Sequence, residues 1–216
     1  IAELIEQAAD AVMAGQHDQQ IPLTVWQTGS GHQSNLNVNE VIAGRANELA
    51  GAGRGGKSPV HPNDHVNLAQ SSNDSFPSAM HMAAASAVEQ QLLPALANLR
   101  GGLEQLALQH AELIKIGRTH LMDATPVTFG QELSAFVAQL QMAEVALKQA
   151  QLNVLQLAQG GTAVGTGLNA PAGFAEAMAL EIATLTQLNF TSAPNKFAAL
   201  AGHEPLTLLS GTLKTL

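Results

Sequence analysis

The chain has 216 residues, of which 46% are apolar and 12% charged, and its formal net charge at pH 7 is −8. The apolar fraction is enough for a sizeable core and excludes a disordered chain, while the acidic excess argues against nucleic acid or an anionic membrane as a partner. The chain contains no cysteine, which excludes disulfides and a cysteine nucleophile, and its apolar runs are shorter than the ~20 residues that span a bilayer.

Scarce aromatic residues and abundant Ala and Leu favour helix over sheet, so the sequence predicts an all-α protein. A first helix is predicted over residues 1–14, followed by a polar loop and a short β-like run at 23–26. Ser34 or Asn35 is predicted to cap a second helix, which continues to Gly51. We find no signal peptide, and we expect an enzyme of the cytoplasm or an organellar matrix.

Two prolines mark the next helical stretch. Pro77 is predicted to lie in the first turn of a helix that runs through Leu92, and Pro94 is predicted to kink it before it resumes. A shorter helix is expected at about 172–188, and the closing stretch from the APNKF motif onward reads as the start and body of one more.

The longest predicted helix begins at Thr128, a plausible N-cap, and runs to Gly160. About 30 residues at ~1.5 Å rise each span roughly 45 Å, which indicates an elongated helical bundle. A stripe of this length also predicts self-association. Its apolar residues recur at alternating steps of four and three, as in a heptad seam: Phe129, Leu133, Phe136, Leu140, Ala143, Leu147, Ala150, Val154 and Leu157.

The ten residues 117–126, GRTHLMDATP, place Arg118, Thr119, His120 and Asp123 just ahead of this helix. These side chains handle protons and anions, and the spacing predicts that His120 lies at a helix entrance. Taken alone, His120 is equally well explained as a structural residue that bonds a carbonyl.

Four polar loops, at 27–35, 61–65, 70–74 and 117–123, are rich in Ser, Thr, Asn, Gln and His. Such groups donate hydrogen bonds without adding net charge, and a helix N-terminus favours an anion, so a small carboxylate is the ligand that they suit. Simpler explanations stay open, because Ser and Asn before a helix are commonly caps, and Ser30 between two glycines suits a turn. Pro62 between His61 and His65 argues against a shared helical face that binds a metal.

Seven motifs, taken in order, closely resemble the class II fumarases of the fumarase/aspartase superfamily, and the resemblance covers essentially the whole chain. It implies a helical-bundle fold, a lyase that reversibly hydrates fumarate to (S)-malate in the tricarboxylic acid cycle, no cofactor and a homotetramer whose subunits share each active site. The motifs are QTGSG, NVNEVI, HPNDHVN, QSSND, GRTHLMDATP, GGTAVGTGLN and APNKF.

The resemblance also implies roles for particular residues. His120 is the catalytic histidine, Thr119 adds a hydroxyl contact, and no metal is expected. The substrate carboxylates, of fumarate or malate, are bound by the residues of two loops: Ser30, Gly31, His32, Ser71, Ser72 and Asn73. The family's second, non-catalytic anion site corresponds to His61, Pro62, Asn63 and Asp64.

The chain departs from the family pattern at several points. His32 stands where the family has Thr, and Leu68 and Ala69 replace polar or small residues. The family's mobile loop, with its serine base and substrate lysine, has no match here. We therefore expect residues 1–216 to be a single fragment, cut at both ends, from the middle of a chain about twice as long. It would comprise most of the central helical-bundle domain with the end of the N-terminal domain, and would be inactive alone.

Two alternatives to the fumarase interpretation remain. Aspartate ammonia-lyases resemble this chain in fold but carry Gln where His120 stands, so the THLMDATP motif favours a fumarase. The other alternative is an inactive helical assembly module, since part of the site is absent and the His32 ring is larger than the threonine side chain that it replaces.

Overall fold

The computed structural model describes all 216 residues and confirms the predicted all-α helical bundle. Single turns of 3-10 helix (Asp18–Gln20) and π-helix (Pro62–Val66 and Val88–Leu92) supplement the α-helices. The α-helices are α1 (Ala2–Met13), α2 (His32–Leu49), α3 (Ser72–Ala87), α4 (Leu93–Gln109), α5 (Phe129–Val154), α6 (Phe174–Thr186), α7 (Lys196–Ala201) and α8 (Glu204–Leu213). None of them is both long enough and apolar enough to cross a membrane.

Four short strands form two separate two-stranded sheets. The hairpin strands β1 (Ile114–Thr119) and β2 (Met122–Thr128) pair antiparallel, with Ile114 opposite Thr128 and Thr119 opposite Met122. The two-residue strands β3 (Gln156–Leu157) and β4 (Thr191–Ser192) pair with each other. The hairpin was not predicted, because its residues were assigned to a loop ahead of the long helix.

The chain divides into two compact units. The first comprises Ile1–Met80 and Leu157–Gly202, and the second comprises His81–Gln156 and His203–Leu216. In the first unit, α1 packs against α2 around a small apolar core formed by Ala8, Ala43, Ala46 and Val60, with Leu4, Ile5, Ile42 and Val66 packed on it. In the second unit, α5 packs against α4 and α8, and Leu147 is completely buried.

The long helix α5 begins as predicted. The Thr128 hydroxyl accepts the Gln131 backbone N–H at 3.1 Å, and the Gln131 side-chain oxygen accepts the Thr128 N–H at 3.0 Å, which is a capping box. The helix ends earlier than predicted, at Val154. Leu155 is its C-cap, and the next two residues form the strand β3. The 26 residues of α5 span about 39 Å.

Burial along the heptad seam of α5 changes from one end to the other. Ala143, Leu147, Ala150 and Val154 are buried, whereas Phe136 is 50% exposed. The second half of the seam therefore packs within this unit, whereas in the first half Leu133 is buried and Phe136 leaves apolar surface uncovered.

Several predicted boundaries in the first unit are wrong. The run 23–26 is not a strand, because no strand pairs with it, and Val25 and Trp26 are almost fully exposed. The helix α2 begins at His32, ahead of the predicted caps, and its N-cap is Gly31. The Ser34 hydroxyl instead accepts from the Gln27 side chain, and the Asn35 side chain accepts from Ser75.

The proline predictions were partly right. Helix α3 begins at Ser72, so Pro77 lies inside the helix and not in its first turn. The interruption expected at Pro94 takes the form of the π-helical segment Val88–Leu92, after which Pro94 occupies the first turn of α4, where a missing N–H costs little. The closing stretch is two helices, α7 and α8, of which the first is capped by the Asn195 side chain.

Candidate functional site

The first polar loop reaches the start of α3 within the first unit. The His32 ring atom Nδ1 lies 3.0 Å from the Ser72 hydroxyl, and Ser72 is buried. Gly31 has φ of +64°, and a Cβ atom there would lie 2.1 Å from the Phe76 ring. This position therefore admits only glycine, and the loop backbone lies directly on α3.

Ser30 makes turn contacts within its own loop. Its hydroxyl lies 3.4 Å from the His32 backbone N–H, which donates to it, and 3.3 Å from the Thr28 hydroxyl. The side chain is exposed, so these contacts leave its hydroxyl open to solvent.

The QSSND loop caps α3, as the simpler explanation of this motif predicted. The Ser71 hydroxyl accepts the Asn73 N–H at 3.2 Å, and the Asp74 carboxylate accepts the Ser71 N–H at 2.9 Å. Asn73 is exposed and its side-chain amide donates to the Ala163 carbonyl at 2.7 Å. The structure thus brings six predicted residues together around the start of α3: Ser30, Gly31, His32, Ser71, Ser72 and Asn73.

Sequence reasoning missed the buried side of this cluster. Asp74 is completely buried, and its second carboxylate oxygen accepts the backbone N–H groups of Gly160 and Thr162 at 3.0 and 2.7 Å. The Gln159 side chain also donates to Gln70 at 3.0 Å. The three-residue spacing of Ser71 and Asp74 matches a capping box, and this was the signal in the sequence that could have identified Asp74. The bonds from Asp74 to residues 160–162 have no corresponding signal in the sequence.

Lys196, in the APNKF motif, was also not predicted as a site residue. Burial lowers the pKa of its ammonium group, against the opposing effect of the Glu176 and Asp74 carboxylates. Its Nζ donates to the Leu157 carbonyl at 2.8 Å. The half-buried ammonium group therefore lies within the first unit, bonded to the backbone of β3.

His61 begins the π-helical turn Pro62–Val66. Its ring atom Nδ1 accepts hydrogen bonds from the backbone N–H groups of Asn63 and Asp64 at 3.2 and 3.1 Å. The backbone N–H of His61 donates to the ring atom Nδ1 of His65 at 2.9 Å. The His61 side chain thus acts as a cap for this turn. The backbone amides of Asn63 and Asp64 are therefore already bonded, and the second anion site stays a prediction.

In the second unit, Thr119 and His120 lie at the tip of the β1–β2 hairpin. His120 and Leu121 form its two-residue turn, with φ of +51° and +63°, a geometry that suits hairpin connections. The prediction that His120 lies at a helix entrance is wrong, because β2 separates it from α5. The His120 and Thr119 side chains are exposed, and Arg118 forms an exposed ion pair with Asp123 across the hairpin.

The model of the family described as Lyase matches residues 1–216, and the chain belongs to this lyase family. The resemblance to class II fumarases is confirmed, because similar curated proteins carry the name fumarate hydratase class II. The chain is 73% identical over 216 residues to such a protein from Pseudomonas aeruginosa and 58% identical over 215 to one from Thermosynechococcus vestitus. It covers 47% and 46% of those proteins, with all of this chain matched.

Among solved structures, the chain resembles a class II fumarase from Schistosoma mansoni, with a TM-score of 0.96 and 46% identity. The match covers 99% of this chain and 48% of that one. A fumarate lyase:delta crystallin from Brucella melitensis, solved with cobalt bound, matches with a TM-score of 0.90 and 36% identity over 98% of this chain and 46% of that one. The chain therefore spans about half the length of the relatives that it matches.

Proposed function

We propose that this chain is part of a fumarate hydratase, a lyase that reversibly hydrates fumarate to (S)-malate. One observation carries the proposal: proteins named class II fumarate hydratase are 56% to 73% identical to this chain over its whole length. The presence of His120, where aspartate ammonia-lyases have Gln, favours hydration over deamination.

The chemistry of the reaction suits the cluster at the start of α3. Removing a proton next to a carboxylate builds up a dianionic intermediate, which needs preorganised donors directed at that carboxylate. Ser71, Ser72 and Asn73 lie at a helix N-terminus, where backbone N–H groups and the helix dipole favour an anion. We propose that this loop, with Ser30, Gly31 and His32, binds the substrate carboxylates.

His120 is proposed to carry the proton traffic. Histidine is the residue whose side chain ordinarily has a pKa suited to proton transfer near neutral pH. Here the ring is exposed at a hairpin tip. Thr119, adjacent on β1, is proposed to add a hydroxyl contact to the substrate. The His61–Asp64 turn is proposed as a second, non-catalytic anion site.

We further propose a homotetramer in which different subunits contribute to one active site, working in the cytoplasm and without a nucleic-acid partner. The apolar side chains exposed along α5 support the assembly, since surface of this kind is commonly covered by a partner helix. They are Phe136, Met142, Val145 and Leu152, each at least half exposed.

The test uses the full-length protein that carries this chain. Fumarate is supplied, and its loss is followed at the absorbance band of the conjugated double bond, with malate measured in the same sample. Aspartate is offered in parallel, and the ammonia released from it is measured. Conversion of fumarate to malate supports the proposal, whereas release of ammonia from aspartate, with no interconversion of fumarate and malate, contradicts it.

A further inference from the structure

Asp74 joins two segments that lie 86 residues apart in the sequence. One carboxylate oxygen accepts the Ser71 N–H at 2.9 Å, at the start of α3. The other accepts the N–H groups of Gly160 and Thr162, in the Gly-rich turn that follows β3. With no part of Asp74 exposed, these three bonds replace water as the partners of its carboxylate.

The Gly-rich turn is itself held firmly in place. A Cβ atom at Gly160, which has φ of +90°, would lie 2.4 Å from the Ala175 side chain, so the turn lies directly against α6. A second bond joins the same two segments, from the Asn73 side-chain amide to the Ala163 carbonyl. The turn is therefore closely packed against α6 and bonded to the start of α3.

We propose that Asp74 is a positioning residue, which fixes the backbone of Ser71, Ser72 and Asn73 in the conformation that binds a dicarboxylate. The inference rests on the proposed function, because that function assigns dicarboxylate binding to this loop. Asp74 touches no substrate in this proposal. It acts by holding the donors in place before the substrate arrives, which reduces the ordering that binding has to accomplish.

A carboxylate suits this role better than an amide does. Both of its oxygens accept hydrogen bonds, and a charged acceptor forms stronger bonds to N–H groups than a neutral one. In Asp74→Asn, one oxygen becomes an NH₂ group, which would face a backbone N–H on one side or the other. That variant is nearly identical in size but loses the bonds to either Ser71 or the Gly160–Thr162 turn.

The experiment compares Asp74→Asn with wild type in the full-length protein, using succinate as an unreactive dicarboxylate probe. We expect succinate to bind Asp74→Asn at least tenfold more weakly by calorimetry, and KM for fumarate to rise by a similar factor. The matched control is Ile182→Ala, which removes a buried side chain of α6 in the same unit. We expect this control to lower Tm while leaving succinate affinity unchanged.

The outcomes separate the inference from the proposed function. Succinate affinity in Asp74→Asn equal to wild type overturns the positioning role, as does an equal loss of affinity in Ile182→Ala at a matched fall in Tm. If wild type binds succinate but does not hydrate fumarate, the proposed function fails and the binding comparison still decides the role of Asp74. If wild type binds no succinate, the positioning role is overturned, and the fumarate assay alone decides the proposed function.

A measurement on the wild type covers the case in which Asp74→Asn does not fold. Amide hydrogen exchange is followed with and without succinate. We expect succinate to slow exchange together at Ser71, Gly160 and Thr162, since one carboxylate accepts from all three. Slowing at Ser71 alone, with the Gly-rich turn unchanged, would contradict the inference.

Discussion

The His32 Nδ1 atom lies 3.0 Å from the Ser72 Oγ atom, so the two loops proposed to bind substrate are already bonded to each other. The resemblance to class II fumarases implies Thr at position 32, whereas this chain has an imidazole ring that contacts Ser72, one of the donors proposed to bind the substrate. The bond gives a structural reason to expect that His32 weakens substrate binding.

Replacing His32 with Thr in the full-length protein should raise kcat/KM for fumarate by about tenfold or more, which corresponds to roughly 1.4 kcal/mol, near the strength of one recovered hydrogen bond. The change removes a bulky ring and releases the Ser72 hydroxyl. Initial rates measured from pH 6 to 8 provide the test.

The double variant His32→Thr, Ser72→Ala serves as the control for this prediction. If the gain comes through the freed Ser72 hydroxyl, the double variant should have no higher kcat/KM than Ser72→Ala alone. An unchanged or lower kcat/KM in His32→Thr across the whole pH range would show that the ring is tolerated or used by the enzyme.

Two glycines of the first unit should respond oppositely to alanine. Gly31→Ala forces a left-handed backbone and a clash with Phe76, so it should lower the free energy of unfolding by at least about 2 kcal/mol. Gly44→Ala, in open space on α2, should raise it by up to about 1 kcal/mol. Thermal unfolding of both variants checks the pair, and a stable Gly31→Ala would refute the close packing of this loop.

His120→Asn should lower kcat by about 10²- to 10⁴-fold, the usual range for loss of a general acid or base. Asn tolerates positive φ, so the hairpin turn should keep its shape. The neighbouring Leu121→Asn, at a similar φ and also exposed, is the matched control and should retain activity. Equal activity of His120→Asn and wild type would remove His120 from the proposed mechanism.

His81 should make the protein less stable in acid. Burial lowers the pKa of its ring below the ordinary 6.5, with His203 adding to the effect and hydrogen bonds to the backbone of Val154 and Gln156 opposing it. The unfolded chain therefore binds the proton more readily, so stability decreases as the pH falls below about 6.5, by at most about 1.4 kcal/mol per pH unit.

The test of this prediction is Tm measured between pH 7 and 5. His81→Asn keeps a donor to the Val154 carbonyl and removes the titration, so its Tm should fall less than that of wild type. His120→Asn, which removes an exposed ring, should follow wild type. Parallel curves for wild type and His81→Asn would contradict the prediction.

The sequence by itself determined the features that depend on local pattern. The seam from Phe129 to Val154 and the cap at Thr128 were predictable, because helical period and capping chemistry involve residues three and four apart. The order of the polar motifs was likewise enough to recognise the resemblance to class II fumarases. From that resemblance, Ser71 to Asn73 were predicted as residues that bind the substrate.

The tertiary structure decided what depends on residues distant in sequence. His120 lies at a hairpin tip because β1 and β2 pair. The periodicity of a single sequence does not reveal that two strands pair across a two-residue turn inside a polar loop. Gly31 became the cap of α2 because the Phe76 ring packs against it, and Asp74 became a link because the turn at 160–162 folds back onto α3. Such contacts arise only when separate segments are packed together, since packing and burial, and not local propensity, set which polar groups must find partners.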